Sequence, residues 1–354
     1  MAVNKIEFKF AELRNYPPDE TNPKTHRFYR FPWPTSSTRP NLDLEYLCLE
    51  SCILKPVPPD LGLSSLKTLS LGCVVLDQDD FNKIASACLK LECLTLDCCT
   101  LPQTFRIGGD GGTFDHLKSL ALHILIYPRR GILIRKLIEI HDLLNLKNFE
   151  SRGDGIDFSI RGIPSLERGC FFDHKLTADF MFHEFPEAAP HLEILSLTLF
   201  SNKVQLSQNI TKFNSLKSLE LEVYVVSDFN LISLANFLNA APLLQKFHIE
   251  FVWWKNITKR ILTTSAGHVH PHLKEVEISG FCNNKYQVEL ALYLLHKAIA
   301  LERMTIILGR EPDSGDEHDI LNIKHVHDQF LKEIVELNRG VQLIVKPPIK
   351  IHLS

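Results

Sequence analysis

Apolar residues recur along this chain in one spacing, L-x-x-L-x-L. "LEYLCL" places Leu44, Leu47 and Leu49, and "LKTLSL" places Leu66, Leu69 and Leu71. "LECLTL" and "LKSLAL" repeat the pattern from Leu91 and Leu117. A second run starts at Leu192 ("LEILSL"), Leu216 ("LKSLEL"), Leu244 ("LQKFHI"), Leu273 ("LKEVEI") and Leu301 ("LERMTI"). Successive starts lie 22, 25 and 26 residues apart in the first run and 24, 28, 29 and 28 in the second. A period of about 20–29 residues built on this spacing predicts a leucine-rich-repeat solenoid.

Each L-x-L core predicts a short strand, because alternate strand residues face opposite sides and the leucines then share one side. Between strands the spacing turns helical. "DQDDFNKIASACLKL" opens on aspartates suited to N-capping and carries Phe81, Ile84, Ala85 and Cys88 three and four apart. "DFNLISLANFLNAAPLL" and "NKYQVELALYLLHKAIAL" read likewise. The expected fold class is therefore α/β, a curved parallel sheet on the concave side with helices on the convex side. A single repeat has nothing to enclose its leucines, so only stacking makes the core.

The expected organisation is one solenoid over residues 1–308, opening inside a repeat at "VNKIEF" and closing on a helix and strand cap over 309–354. The register fades between residues 123 and 191, where "LKNFES" and the glycine-rich "SRGDGIDFSIRG" are candidate degenerate copies. Residues 11–41 carry prolines and few aliphatics and read as an insertion loop. Its aromatics, Phe28, Tyr29, Phe31 and Trp33, have two readings: a binding wedge, or a cluster packed back over the end of the solenoid, which burial favours. The acidic "GREPDSGDEHD" from Gly309 reads as a solvated loop.

Composition narrows the class. Apolar residues are 45% and charged residues 23% of 354, as in ordinary globular proteins. A net charge of −3 gives no global pull toward nucleic acid or anionic membrane. No stretch approaches the roughly 18 uninterrupted apolar residues of a membrane span. Nine cysteines, an odd count without a secretory signal, fit free thiols in cytoplasm or nucleus.

The residues from "LEYLCLESC" through "GLSSLKTLSL" to "LECLTLDCC", Leu44 to Cys99, resemble the leucine-rich region of plant F-box/LRR proteins. "HPHLKEVEISGFCNNKYQVELALYLLHKAIALERMTI" is similar to the FBD-type segment of the same family, placed over 271–308. The resemblance implies a substrate-receptor subunit of a cullin-based ubiquitin ligase, in which the F-box holds the Skp adaptor and the repeats hold the target. Nothing before Leu44 resembles an F-box, so the expectation is a truncated product or a member without that module, and adaptor recruitment is in doubt.

Candidate chemistry is sparse. "RIGGDGGTF" lacks the Lys-Ser/Thr of a phosphate-binding loop and leads into a predicted strand. "HVHPH" alternates His268, His270 and His272, but Pro271 favours a loop over a metal site. Cys93, Cys98 and Cys99 lack paired C-x2-C half-sites and in register project in different directions. No nucleophile sits in a recognisable elbow, so no enzyme, metal or cofactor is expected.

Binding is the remaining role. The side chains between the inward apolar positions face the concave side. In the later repeats these include Glu220, Glu222, Lys246, His248, Glu250, Glu275, Glu277 and Arg303. Across three neighbouring repeats that is five glutamates against one lysine, which predicts an acidic face able to take a basic protein segment. The competing reading is an ordinary solvated face. Earlier repeats offer Tyr46, Cys93 and Asp97 on a small, nearly neutral surface. Trp253 and Trp254, just past one strand, read as interface anchors or as rim packing. The alternative function is a hormone-like small-molecule sensor with its ligand on the concave face or under the 11–41 loop.

Overall fold

The computed structural model describes residues 4–9, 29–35, 43–109, 114–124, 135–153, 155–173, 180–200, 211–225, 234–253, 269–283, 285–309, 316–337 and 339–348. Packing divides the chain into two compact units, residues 1–176 with 187–189, and residues 177–186 with 190–354.

In the first unit the repeat strands are β1 (Lys5–Lys9), β2 (Tyr46–Glu50), β3 (Thr68–Gly72) and β4 (Cys93–Asp97), then β6 (Ser119–Ile124), β8 (Asn148–Gly153) and β10 (Arg168–Asp173). They lie side by side in that order and pair in parallel. Leu47, Leu69, Leu94 and Leu120 are successive register partners, and so are Leu49, Leu71, Leu96 and Leu122. All eight are at most 1% exposed. Each such burial contributes about 1.5–3 kcal/mol, and each leucine is covered by the repeats on either side of it.

Behind these strands the layer changes character along the unit. Between β3 and β4 it is a helix, α1 (Gln78–Ala87), whose N-cap Asp77 accepts a hydrogen bond from the Asp80 N–H at 2.8 Å. Phe81, Ile84, Ala85 and Cys88 are buried, the set expected from the spacing. From there on the partner element is a strand. β5 (Thr104–Gly108), β7 (Lys136–His141) and β9 (Ile156–Arg161) form a second parallel sheet, so the chain alternates between two sheets from β4 to β10. "TFRIG", "KLIEIH" and "IDFSIR" alternate β-branched or aromatic residues with polar ones, and Phe105, Ile107, Ile138, Ile140, Phe158 and Ile160 point inward. The glycine at the end of β5 is required by this layer: Gly108 has φ +82°, and a Cβ there would lie 2.1 Å from the His141 carbonyl oxygen.

The stretch in which the leucine pattern fades holds two repeat strands. "LKNFES" is β8. The other is not the glycine-rich run, half of which is β9 of the second sheet, but "LERGCFF", with Leu166 buried and Phe171 inward on β10. Leucine pairs are replaced here by complementary volumes. Phe149 is the register partner of Gly169, and Ser151 that of Phe171. The two rings meet at 5.3 Å, and Phe158 of the second sheet packs 5.9 Å from Phe149. Ser151 is left with its hydroxyl fully buried and without a hydrogen-bond partner among the described residues. Replacing Ser151 with alanine is expected to leave stability unchanged or raise it by about 1 kcal/mol, since an unsatisfied buried hydroxyl stabilises nothing. Urea unfolding checks this, and a loss above about 1 kcal/mol would reveal a partner for the hydroxyl.

Of the proline-rich segment, residues 29–35 are described and they pack back onto the first repeats. The Phe31 N–H donates to the Ile53 carbonyl at 3.0 Å, Trp33 Nε1 donates to the Leu54 carbonyl at 2.6 Å, and Phe31 is 4% exposed. Phe8, Tyr29, Phe31 and Trp33 form a chain of ring contacts at 5.0–5.9 Å. Phe28 lies outside the described residues.

In the second unit β11 (Ile194–Phe200), β12 (Ser218–Val225), β13 (Lys246–Trp253), β14 (Glu275–Phe281), β15 (Arg303–Leu308) and β16 (Gln342–Lys346) form a parallel sheet in sequence order. The helices of this unit are α3 (Leu234–Ala240), α4 (Lys285–Lys297) and α5 (Asp316–Glu336), while a π-helical turn, Phe180–Glu184, and α2 (Phe185–Ala188) lie between β10 and β11 in the chain. The last residues of the acidic stretch from Gly309, Asp316 to Asp319, therefore begin α5 instead of a loop, while residues 310–315 lie outside the described ones. Arg339 Nη1 donates to the Leu295 and Ala298 carbonyls at the end of α4, where a cation offsets the exposed carbonyls of the helix terminus.

β14 carries a bulge between Ile278 and Phe281. Gly280 sits there at φ +67°, with the Phe251 carbonyl oxygen 2.2 Å from where a Cβ would be. The buried Gln287 side chain secures the bulge, accepting from the Cys282 N–H at 2.7 Å and donating to the Gly280 carbonyl at 3.0 Å. The bulge directs the chain from the acidic strand β14 into α4.

Candidate functional site

The candidate side chains of the second unit lie in rows across its strands, fixed by the register. One row runs Ser218, Lys246, Glu275, Arg303, the next Ser196, Glu220, His248, Glu277, Thr305, and the third Thr198, Glu222, Glu250, Ser279. Phe200, Tyr224 and Val252 begin a fourth. Glu220, Lys246, His248, Glu275, Glu277 and Arg303 line one shallow depression of about 230 Å³. That is below the ~300–1,000 Å³ of sites that enclose a drug-sized ligand.

Charge is not spread evenly over these rows. Lys246 Nζ is 3.0 Å from Glu275, and Arg303 approaches the other oxygen of the same carboxylate at 4.0 Å. Both cations thus serve one acid at one end. Glu277 is 3.6 Å from His248 Nε2, which also meets Ser279 Oγ at 3.2 Å. Among the described residues Glu220 and Glu222 are held by hydroxyls alone: Ser196 Oγ donates to Glu220 at 2.8 Å, and Thr198 Oγ1 and the Tyr224 hydroxyl donate to Glu222 at 3.0 and 2.7 Å. Glu250 is exposed and makes no hydrogen bond or ion pair among the described residues. The uncompensated negative charge is therefore concentrated on Glu220, Glu222 and Glu250. Burial, then the Glu222 carboxylate, pushes the Tyr224 hydroxyl up to about 12, so it remains a donor across the physiological range.

Tyr46, Cys93 and Asp97 belong to the other unit. Lys5 lies 4.7 Å over the Tyr46 ring, Cys93 is half-buried, and Asp97 joins a charged network. His123 Nδ1 is 3.6 Å from Asp97, its Nε2 is 3.2 Å from Glu150, and Arg152 donates to the same Glu150 oxygen at 2.6 Å. This face is therefore charged, where the first four copies alone read as nearly neutral. Glu150 and Arg152 come from "NFESRG", whose weak leucine pattern marked a candidate copy without assigning its outward side chains.

The Asp97 carboxylate, with help from Glu150, raises the His123 pKa above its ordinary 6.5. A raised pKa contributes stability that is fully present below the unfolded value and is lost as pH rises through the folded one. The His123 ring signals are expected to titrate above 6.5, and in an Asp97→Asn variant to move back toward it. A midpoint at or below the ordinary value in the native chain would break the network.

The three clustered thiols separate as their register requires. Cys99 is buried, donates to the Leu71 carbonyl at 3.2 Å, and is pushed up to about 12 by burial. Cys98, at φ +51°, donates to Asp97 Oδ1 at 3.3 Å and is likewise pushed up to about 12. Neither thiol ionises readily enough to be a nucleophile near neutral pH. His270 is buried against the Tyr293 hydroxyl at 3.0 Å, while His272 is exposed and His268 lies outside the described residues. Among the described residues no group of three or more acidic, histidine or cysteine side chains is placed to hold a metal ion. Trp254 and the Trp253 side chain also lie outside the described residues.

One feature went unread in the sequence. The residue after a repeat's first leucine is glutamate or lysine in nearly every copy, and several oppositely charged neighbours pair along the edge where the chain enters the strands. Glu45 meets Lys67, Glu92 meets Lys118 and Lys147 meets Glu167 in the first unit, at 2.6–2.9 Å. Glu193 meets Lys217 at 2.6 Å and Lys274 meets Glu302 at 3.1 Å in the second. Such exposed pairs contribute about 0–1 kcal/mol each. Their use is in matching the edge of one repeat to the next, and the signal was the E/K choice in "LEYL", "LKTL", "LECL" and "LKSL".

The model of the At1g61320/AtMIF1 leucine-rich-repeat domain family matches residues 19–348. The chain belongs to that family. Its members are plant leucine-rich-repeat proteins, and the parallel repeat strands described above are the architecture expected of the At1g61320/AtMIF1 domain. Leucine-rich-repeat domains are in general scaffolds for protein interaction, not enzymes. No curated protein matches the chain at a significant level. Among the described residues no helix is long and apolar enough to cross a membrane.

Proposed function

We propose that this protein is a non-enzymatic scaffold that takes a basic polypeptide segment on the concave face of its second unit. The observation that carries the reading is the placement of Glu220, Glu222 and Glu250, in register on adjacent strands with no lysine or arginine of the described chain paired to them. Such a face draws in cations and selects against acidic partners. Hydroxyl donors hold two of these carboxylates in place before any partner arrives, which reduces the ordering cost of binding.

The target-holding part of a ubiquitin-ligase receptor is the setting we favour, supported by the resemblance of residues 44–99 and 270–306 to plant F-box/LRR proteins. Residues 1–354 are not expected to capture the Skp adaptor by themselves, because they contain no segment resembling an F-box.

The binding reading is tested with two fluorescein-labelled nonapeptides, one alternating Arg or Lys with Gly and one carrying Glu in the same places. The basic peptide is expected to raise anisotropy saturably and the acidic one not at all. Equal binding, or none by the basic peptide at low salt, would remove the acidic face from the function.

A further inference from the structure

We propose that Glu222, Glu250 and the Phe200–Tyr224 ring stack form a subsite for an arginine side chain of the bound segment. The inference rests on the docking reading above and names the group that the face selects. Glu222 and Glu250 are direct register partners on β12 and β13, which puts their backbones at the strand spacing of about 4.8 Å. Like charges set opposite each other on neighbouring strands destabilise a sheet. Glu275, by contrast, has Lys246 and Arg303 beside it, and Glu277 has the His248 ring. Among the described residues Glu222 and Glu250 have no basic partner.

The local chemistry favours a planar cation over a compact one. Thr198 Oγ1 reaches one oxygen of Glu222 and the Tyr224 hydroxyl the other, so the carboxylate is fixed in orientation. A carboxylate offers about four acceptor positions, which leaves room for two further donors on Glu222. Glu250, exposed beside it, adds its own acceptors. Tyr224 follows Glu222 on the same face and stacks on Phe200 with centroids 4.7 Å apart and planes 5° from parallel. A guanidinium donates in a flat fork to carboxylates and lies against an aromatic ring at the same time, whereas an ammonium is a strongly hydrated point charge.

The test uses the full chain and three probes, the acetylated methylamides of arginine, lysine and citrulline, followed through the Tyr224 ring and Thr198 methyl NMR signals. The arginine compound is expected to shift both signals saturably, with a Kd about fivefold below that of the lysine compound, and citrulline is expected to produce no saturable shift. Glu222→Gln and Glu250→Gln should each weaken arginine about fivefold, while Glu302→Gln on the rim leaves it unchanged. Glutamine preserves the side-chain shape, and unchanged circular dichroism confirms the fold of each variant. Equal affinity for lysine, or no effect of either substitution, would overturn the subsite. If the basic nonapeptide binds but the probes do not discriminate, the docking face stands and the arginine subsite falls. If neither peptide nor probe binds, both fall.

Discussion

Replacing Phe149 with alanine is expected to remove about 3–5 kcal/mol of stability, the largest effect of any single substitution considered for this chain. Phe149 is 1% exposed and has Leu120 as its register partner on one side and Gly169 on the other. Truncation would set an alanine beside a glycine, with Phe158 and Phe171 already committed to contacts at 5.9 and 5.3 Å. Neither neighbour has atoms to spare for the space. Phe149→Leu restores the residue type used at this position in β2, β3, β4 and β6 and should cost less than half as much. Urea unfolding followed by circular dichroism measures both. A loss below about 1 kcal/mol for the alanine variant would mean that β8 is not a packed repeat.

The second large effect concerns binding. Replacing Glu220, Glu222 and Glu250 together with glutamine is expected to weaken a basic nonapeptide at least about tenfold at low salt and to flatten its salt dependence. Glutamine can still accept from Ser196, Thr198 and Tyr224, so the carboxylate positions persist while three charges go. Glu275→Gln is expected to do little by comparison, because Lys246 and Arg303 already offset that charge. If the single change at Glu275 matches the triple, the partner sits at the opposite end of the face.

How far the sequence carried the account depended on whether one residue type marked the position. Where leucine fills both inward places, as in β2, β3, β4 and β6, strand, register and outward side chains were all legible. Where Phe149 and Ser151 face Gly169 and Phe171, a large residue on one strand meets a small one on the next, a complementarity that a one-residue pattern does not register. That gap also hid Glu150 and Arg152, and with them the His123 network. The second sheet was missed for a related reason: "TFRIG" and "IDFSIR" alternate as strands do, but the helical spacing of α1 set the expectation for the layer behind every repeat. On the acidic face, the side chains that point outward were readable from alternation. Their pairing was not, because it depends on which carboxylate a long lysine or arginine reaches.

The central claim, that a basic segment sits on β12 to β14, is tested most directly by labelling carboxylates with a carbodiimide and glycine ethyl ester, with and without the basic nonapeptide, and reading each site by mass spectrometry. The account predicts that the peptide protects Glu220, Glu222 and Glu250 while Glu167 and Glu302 on the rims label as before. Unchanged labelling at those three carboxylates under saturating peptide, or protection confined to Asp97 and Glu150 of the first unit, would contradict it.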